Sequence, residues 1–85
     1  MNLRTDRSFD PDYARLPQQI RERVDKQLAL LLTNPRHPSL RIQKMKGQPD
    51  IWEGRVSEDY RFTFKIFGDT CRLRRVGTHD IYRRP

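Results

Sequence analysis

Only two histidines occur in the chain, and one of them, His79, stands where its chemistry could be used: in Gly77-Thr78-His79-Asp80-Ile81-Tyr82, just past a strand-like run. Imidazole titrates near neutral pH and can give or take a proton, so His79 is the best candidate for a general acid or base. Arg61 carries a permanently charged fork that suits a phosphate whose oxygens gain negative charge. Glu53 and Arg55 are two residues apart, which on an extended chain places them on one face. Arg55 is a fixed cation and Glu53 a carboxylate, and Asp80 and Tyr82 stand close after His79. The simpler structural reading has His79 ending a strand against a loop carbonyl and Arg61 ion-paired with Glu53 or Glu58. His37, between Arg36 and Pro38, reads as a solvent-exposed loop residue.

These groups need a scaffold. Residues 2–9 read as a first strand, and Asp10-Pro11 as a cap and first residue of a short helix over about 11–15. Pro17 opens a longer helix whose apolar residues, Ile20, Val24, Leu28 and Leu31, form one stripe. Asn34-Pro35 ends it. Beyond the loop at 34–39 the period drops to two, and strands are expected at about 40–45, 51–56, 60–67 and 70–76. In the third of these, Tyr60, Phe62, Phe64 and Ile66 point one way and Arg61, Thr63, Lys65 and Phe67 the other. Gly68-Asp69 signals a hairpin turn. In the last strand Cys71 and Leu73 share a face, with Arg72 and Arg74 opposite, and Trp52 shares the core parity of Val56. The expected class is α+β: an antiparallel sheet with two N-terminal helices on its apolar face. Its other face should then be a basic plate holding Arg61, Lys65, Arg72 and Arg74, joined by Glu53 and Arg55.

The size of the chain limits what it can be. Its 85 residues make a single domain over 1–85, too small for a two-domain enzyme with a large cofactor. Leu, Ile, Val and Phe total 20 of the 85 residues, above the roughly 20% that a foldable chain needs. Eighteen Lys and Arg against eleven Asp and Glu leave +7; the balance is seven against five in residues 1–40 and eleven against six in 41–85. A basic excess in the second half favours polyanions or an acidic protein partner. A lone Cys71 offers neither a disulfide nor the spacing of a zinc site, and the start of the chain has no apolar run, so a cytoplasmic protein without metal, cofactor or membrane span is expected.

The order of these pieces is informative. Leu16-Pro17 and Asn34-Pro35 bracket the long helix, Lys44-Met45-Lys46-Gly47 precedes a strand, and Trp52-Glu53-Gly54-Arg55-Val56, Tyr60-Arg61-Phe62 and Gly77-Thr78-His79-Asp80 follow. In this order and length the chain resembles the RelE/ParE toxin superfamily of bacterial toxin–antitoxin modules. The resemblance covers nearly the whole chain and implies a β-α-α-β-β-β(-β) fold, a cognate acidic antitoxin as partner, and, in the RelE-like branch, metal-free cleavage of mRNA on the ribosome. There the ribose 2′-OH attacks the adjacent phosphate, leaving a 2′,3′-cyclic phosphate and a 5′-hydroxyl.

Carried onto this chain, the resemblance makes His79 catalytic and Arg61 the contact to the scissile phosphate. The chain departs from the family in lacking the paired lysines of the RelE type and the strand glutamate of one histidine-containing branch. Set against the family, either Glu53 substitutes as base or orients Arg61 while Arg55 binds phosphate, or Asp80 and Tyr82 complete the set, or activity is reduced. Lys44, Lys46, Lys65, Arg72, Arg74, Arg83 and Arg84 would track RNA backbone, a salt-sensitive contribution. Two other readings share the fold: a ParE-like toxin that inhibits gyrase by binding, and a catalytically silent RNA- or protein-binding module.

Overall fold

A computed structural model describes residues 1–85. Strand β1 (Asn2–Thr5) leads into helices α1 (Phe9–Ala14) and α2 (Gln18–Thr33), then a 3-10 turn at Pro38–Leu40. Strands β2 (Gln43–Lys44), β3 (Trp52–Arg55), β4 (Arg61–Phe67) and β5 (Thr70–Gly77) follow, and a second 3-10 segment, His79–Arg83, closes the chain. The sheet order is β1-β5-β4-β3-β2. The pairs from β2 to β5 are antiparallel, as alternation led one to expect, while β1 joins the far edge parallel to β5. No helix is long and apolar enough to cross a membrane.

The core forms where the helical stripe meets the apolar parity of the sheet. Val24 and Leu31 of α2 are buried against Phe62 and Phe64 of β4 and Cys71, Leu73 and Val76 of β5, with Ile20, Leu28 and Trp52 packed at the margin. Gln27 also falls on the buried side of α2. It is accommodated because its amide donates to the carbonyls of Ser39 (3.3 Å) and Arg55 (2.8 Å), tying helix, 3-10 turn and sheet together.

Gly54 shows how close this packing is. A Cβ there would stand 2.3 Å from Cζ of the Phe62 ring, so only glycine lets β3 lie against that ring. Gly54→Ala should cost about 2 kcal/mol through overpacking, visible as a drop of roughly 10 °C in the thermal midpoint. An unchanged midpoint would refute the packing argument. Burial likewise pushes the Cys71 thiol up to about 11, so the native protein should fail to react with a thiol reagent at pH 8 and react fully once unfolded.

Several expectations are corrected. The first strand stops at Thr5, and α1 begins at Phe9 rather than at Pro11, because Phe9 turns inward and is 4% exposed. Leu40 belongs to the 3-10 turn, not a strand. Ile66 keeps core parity, yet it and Phe67 are exposed at the end of β4. The slip in β5 has the widest effect. Thr63 pairs with Arg75 and Phe64 with Leu73, so Arg74 is a bulge residue. The bulge shifts parity by one, which brings Val76 into the core and gives Arg75, not Arg74, the position beside Thr63.

The edge of β5 left open where β1 ends is closed by α1. Ser8 Oγ donates to the Arg74 carbonyl (2.6 Å), and Asp12 Oδ2 accepts from the Val76 amide (3.2 Å). Asp12 also takes the Arg75 guanidinium through Nε (2.5 Å) and Nη2 (3.1 Å). A free edge thereby becomes a sealed one.

Candidate functional site

The face of the sheet away from the helices carries the candidate residues, and it is not the open basic plate that parity suggested. The C-terminal segment folds across it. Thr63, fully buried, donates through Oγ1 to the Pro85 carbonyl (2.9 Å), Arg74 Nε reaches the same oxygen (3.1 Å), and Arg75 Nη1 donates to the Arg84 carbonyl (3.2 Å). Ile81 is 2% exposed and lies so close to Gly77 that a Cβ there would come within 2.9 Å of it. Asp6 offsets one of the two charges of another pair of plate residues: it accepts from Arg72 Nε (2.9 Å) and stands 3.6 Å from Arg74 Nη1.

What remains is concentrated at one end of the sheet. Arg55 pairs with Arg61, and Arg61 with Gly77, so the three form a row across β3, β4 and β5. At the usual spacing of about 4.8 Å between strands, the row spans roughly 10 Å. His79 follows Gly77 by two residues and is exposed at the start of the last 3-10 segment. Thr78 Oγ1 donates to Asp80 Oδ1 (2.7 Å). That bond, with smaller contributions from His79 and Arg75, holds the Asp80 carboxyl below its ordinary range. Asp80 is therefore an anion at neutral pH and cannot serve as a proton donor there.

The 3-10 turn carries Tyr82 back over β3. Burial first, then the adjacent Glu53 carboxylate, raise the Tyr82 hydroxyl above its ordinary value, while Arg61 opposes the shift. Tyr82 thus stands near both Glu53 and Arg61 with its proton retained, available as a donor. Glu53 accepts from Gln43 Nε2 (2.6 Å) across the β2–β3 pair, and the groove beside it is lined by Lys44, Lys46, Gln48 and Tyr82. Lys44 Nζ lies 5.6 Å from the centre of the Trp52 ring. Lys65 lies opposite Arg72, which also faces the Phe67 ring, and Arg83 and Arg84 are exposed on the segment that covers the sheet.

Arg61 is held in a way the sequence did not suggest. Its Nη1 donates to the carbonyls of Ser57, Glu58 (3.0 Å) and Tyr60 (2.9 Å), clamping the β3–β4 turn, and it forms no ion pair with Glu53 or Glu58. Its Nε and Nη2 remain as donors for an incoming anion. The clamp was missed because backbone carbonyls leave no trace in residue identities.

His37 is also corrected: it is half-buried, and its Nδ1 accepts from the Ser39 amide (3.2 Å) and meets Ser39 Oγ (2.8 Å), capping the first 3-10 turn. The turn signal Pro38-Ser39 was legible; the role of the preceding histidine as its cap was not.

The fold is one found in solved toxin structures of the YoeB/ParE, YafQ and RelE kind. Neither a protein-family profile nor a curated protein matches the chain by sequence. Among solved structures it is similar to a YoeB/ParE toxin from Agrobacterium tumefaciens, at 19% identity and TM-score 0.78, covering 93% of this chain and 99% of that one. It is similar to YafQ from E. coli strain BL21(DE3) at 17% identity and TM-score 0.75, covering 95% and 96%. The RelB–RelE antitoxin–toxin complex from Methanococcus jannaschii matches at 23% identity and TM-score 0.76, covering 95% of each chain.

Proposed function

We propose that this chain is the toxin of a type II toxin–antitoxin pair and acts in the cytoplasm as a metal-independent endoribonuclease on ribosome-bound mRNA. One observation carries the reading. In the fold shared with YoeB, YafQ and RelE toxins, the Arg55–Arg61–Gly77 row runs into His79, with Tyr82 beside Glu53 and Arg61.

The chemistry needs one proton removed, another supplied and a phosphate stabilised. Glu53 takes the proton of the ribose 2′-OH, whose oxygen attacks the adjacent phosphorus. The bond from phosphorus to the 5′-oxygen breaks, and His79 gives that oxygen a proton. The products are a 2′,3′-cyclic phosphate and a 5′-hydroxyl. Arg55 and the free edge of Arg61 bear the added phosphate charge, and Tyr82 donates a hydrogen bond. The ribosome holds the substrate, which is how so small a domain can suffice. Lys46, Lys65, Arg83 and Arg84 supply approach charge. An acidic antitoxin segment would neutralise the +7 surface.

Induction of the chain in growing cells should arrest growth and leave cuts in translated transcripts, mapped by primer extension. Intact transcripts with gyrase-dependent DNA breaks would instead establish the ParE-like reading. The carbonyl clamp on Arg61 favours a second reading, a binding-only protein in which Arg61 is structural. Arg61→Ala separates the two: cleavage by the wild-type chain that is lost in a variant of unchanged thermal midpoint supports the nuclease, whereas no cleavage by the wild-type chain and a lowered midpoint in the variant support the binding-only reading.

A further inference from the structure

The strongest concentration of unpaired positive charge lies away from the sheet face. A cavity of about 430 Å³ opens between α2, the first 3-10 turn and the end of β3, and Arg23, Lys26, Arg41 and Arg55 line it together with His37. A second cavity of about 440 Å³ shares His37 and Arg41 and adds Arg36. No acidic residue lines either one, and none of these cations takes part in an ion pair of the chain. Like charges converging on one concave surface repel, and an anion there would relieve the repulsion.

We infer that this double cavity binds the phosphodiester backbone of RNA, as a site separate from the one that cuts. Four of the five cations are arginines, whose planar forks match phosphate oxygens. Arg23 Nε is anchored on the Val56 carbonyl (3.2 Å), which fixes the side chain and leaves its outer nitrogens free. His37 accepts the Ser39 amide at Nδ1, so the neutral ring carries its proton on Nε2 and adds a further donor. Two joined cavities fit successive phosphates of a strand better than one small anion. A protein segment would need apolar anchors, and the linings offer only Leu30 and Val56 in the first cavity and Ile42 in the second. Arg55 belongs both to this cavity and to the row with Arg61, so a strand held here leads toward the sheet-face site.

The inference takes its ligand from the nuclease reading and rests on it, but its test reads binding without cleavage. Arg41 adopts a left-handed backbone (φ 44°) that glycine accepts readily, and Lys26 is exposed on α2, so Lys26→Ala/Arg41→Gly should fold. The control, Arg7→Ala/Arg15→Ala, removes the same charge from exposed positions elsewhere. A labelled 12-nucleotide oligouridylate is titrated by fluorescence anisotropy across a salt series, with poly-glutamate as competitor.

The cavity double variant should bind about tenfold more weakly at low salt, with a salt slope shallower by roughly 1 to 2, and the control should change neither by a comparable amount. Equal weakening in both double variants would reduce the effect to net charge and overturn the inference. So would undetectable RNA binding, or poly-glutamate outcompeting RNA at equal charge. A protein that binds RNA through this cavity but leaves programmed ribosomes uncut would sink the nuclease and leave the binding site standing.

Discussion

Replacing His79 by alanine should lower the rate of mRNA cleavage by about 10² to 10⁴ while leaving the fold intact, the range over which a positioned acid or base contributes. The structural half of this expectation follows from placement: His79 is exposed at the first position of a 3-10 segment, outside the core. That segment is held by Ile81 and by carbonyls at Arg84 and Pro85, none of which needs the imidazole. Thermal denaturation should therefore give the same midpoint for both proteins within a few degrees. A single-turnover assay on ribosomes programmed with a defined transcript supplies the rate. Cleavage within a few-fold of wild type would remove His79 from the chemistry.

The largest effect on stability is expected from Asp12→Ala. Asp12 is 7% exposed and receives three hydrogen bonds, two from Arg75 and one from the Val76 amide. Its loss strands a partly buried guanidinium and reopens the edge of β5 that α1 seals. Breaking such a pair from one side costs about 3 kcal/mol, a large share of the roughly 4 to 13 kcal/mol typical of a domain this size. A fall of about 15 °C in the thermal midpoint is expected. The double variant Asp12→Ala/Arg75→Met should cost less, because it removes both charges and strands neither. If Asp12→Ala changed the midpoint by no more than 3 °C, the α1–β5 seam would not be the anchor described.

These two residues also mark what the sequence could and could not reveal. The alternation in Arg61–Phe67, the stripe from Ile20 to Leu31 and the Gly68-Asp69 turn are local patterns, and each produced the element it implied. The salt bridge between Asp12 and Arg75 joins residues 63 apart, and nothing local announces it. The bulge at Arg74 has no glycine to flag it, so parity counted from Cys71 fails beyond Leu73. Residue types in His79–Pro85 do not announce that the segment folds back over the sheet, where Ile81 and Pro85 are buried.

The same contrast applies to the site. Strand parity could place Glu53, Arg55 and Arg61 on one face, and the register sets Arg55, Arg61 and Gly77 in one row, whereas His79 lies beyond the strands and is nominated by its imidazole and the family resemblance alone. Tyr82 could be nominated but not placed, since its position depends on how the last segment turns back over β3. The reduction of Arg72 and Arg74 by Asp6 was invisible for a similar reason: the partner lies 66 residues from Arg72, in the turn after β1. The cationic cavity under α2 was missed altogether. Its members are scattered between residues 23 and 55, and only folding brings them together.

The chemical nature of the RNA ends distinguishes metal-free 2′-OH attack from every other outcome. Purified chain added to ribosomes stalled on a defined mRNA, with a chelator in excess over free divalent metal yet compatible with intact ribosomes, should cut in the vacant A-site codon. The upstream fragment should end in a 2′,3′-cyclic phosphate and the downstream fragment begin with a 5′-hydroxyl that polynucleotide kinase labels without prior phosphatase. Transcript left whole while translation stops, or fragments bearing a 5′-phosphate, would contradict that mechanism.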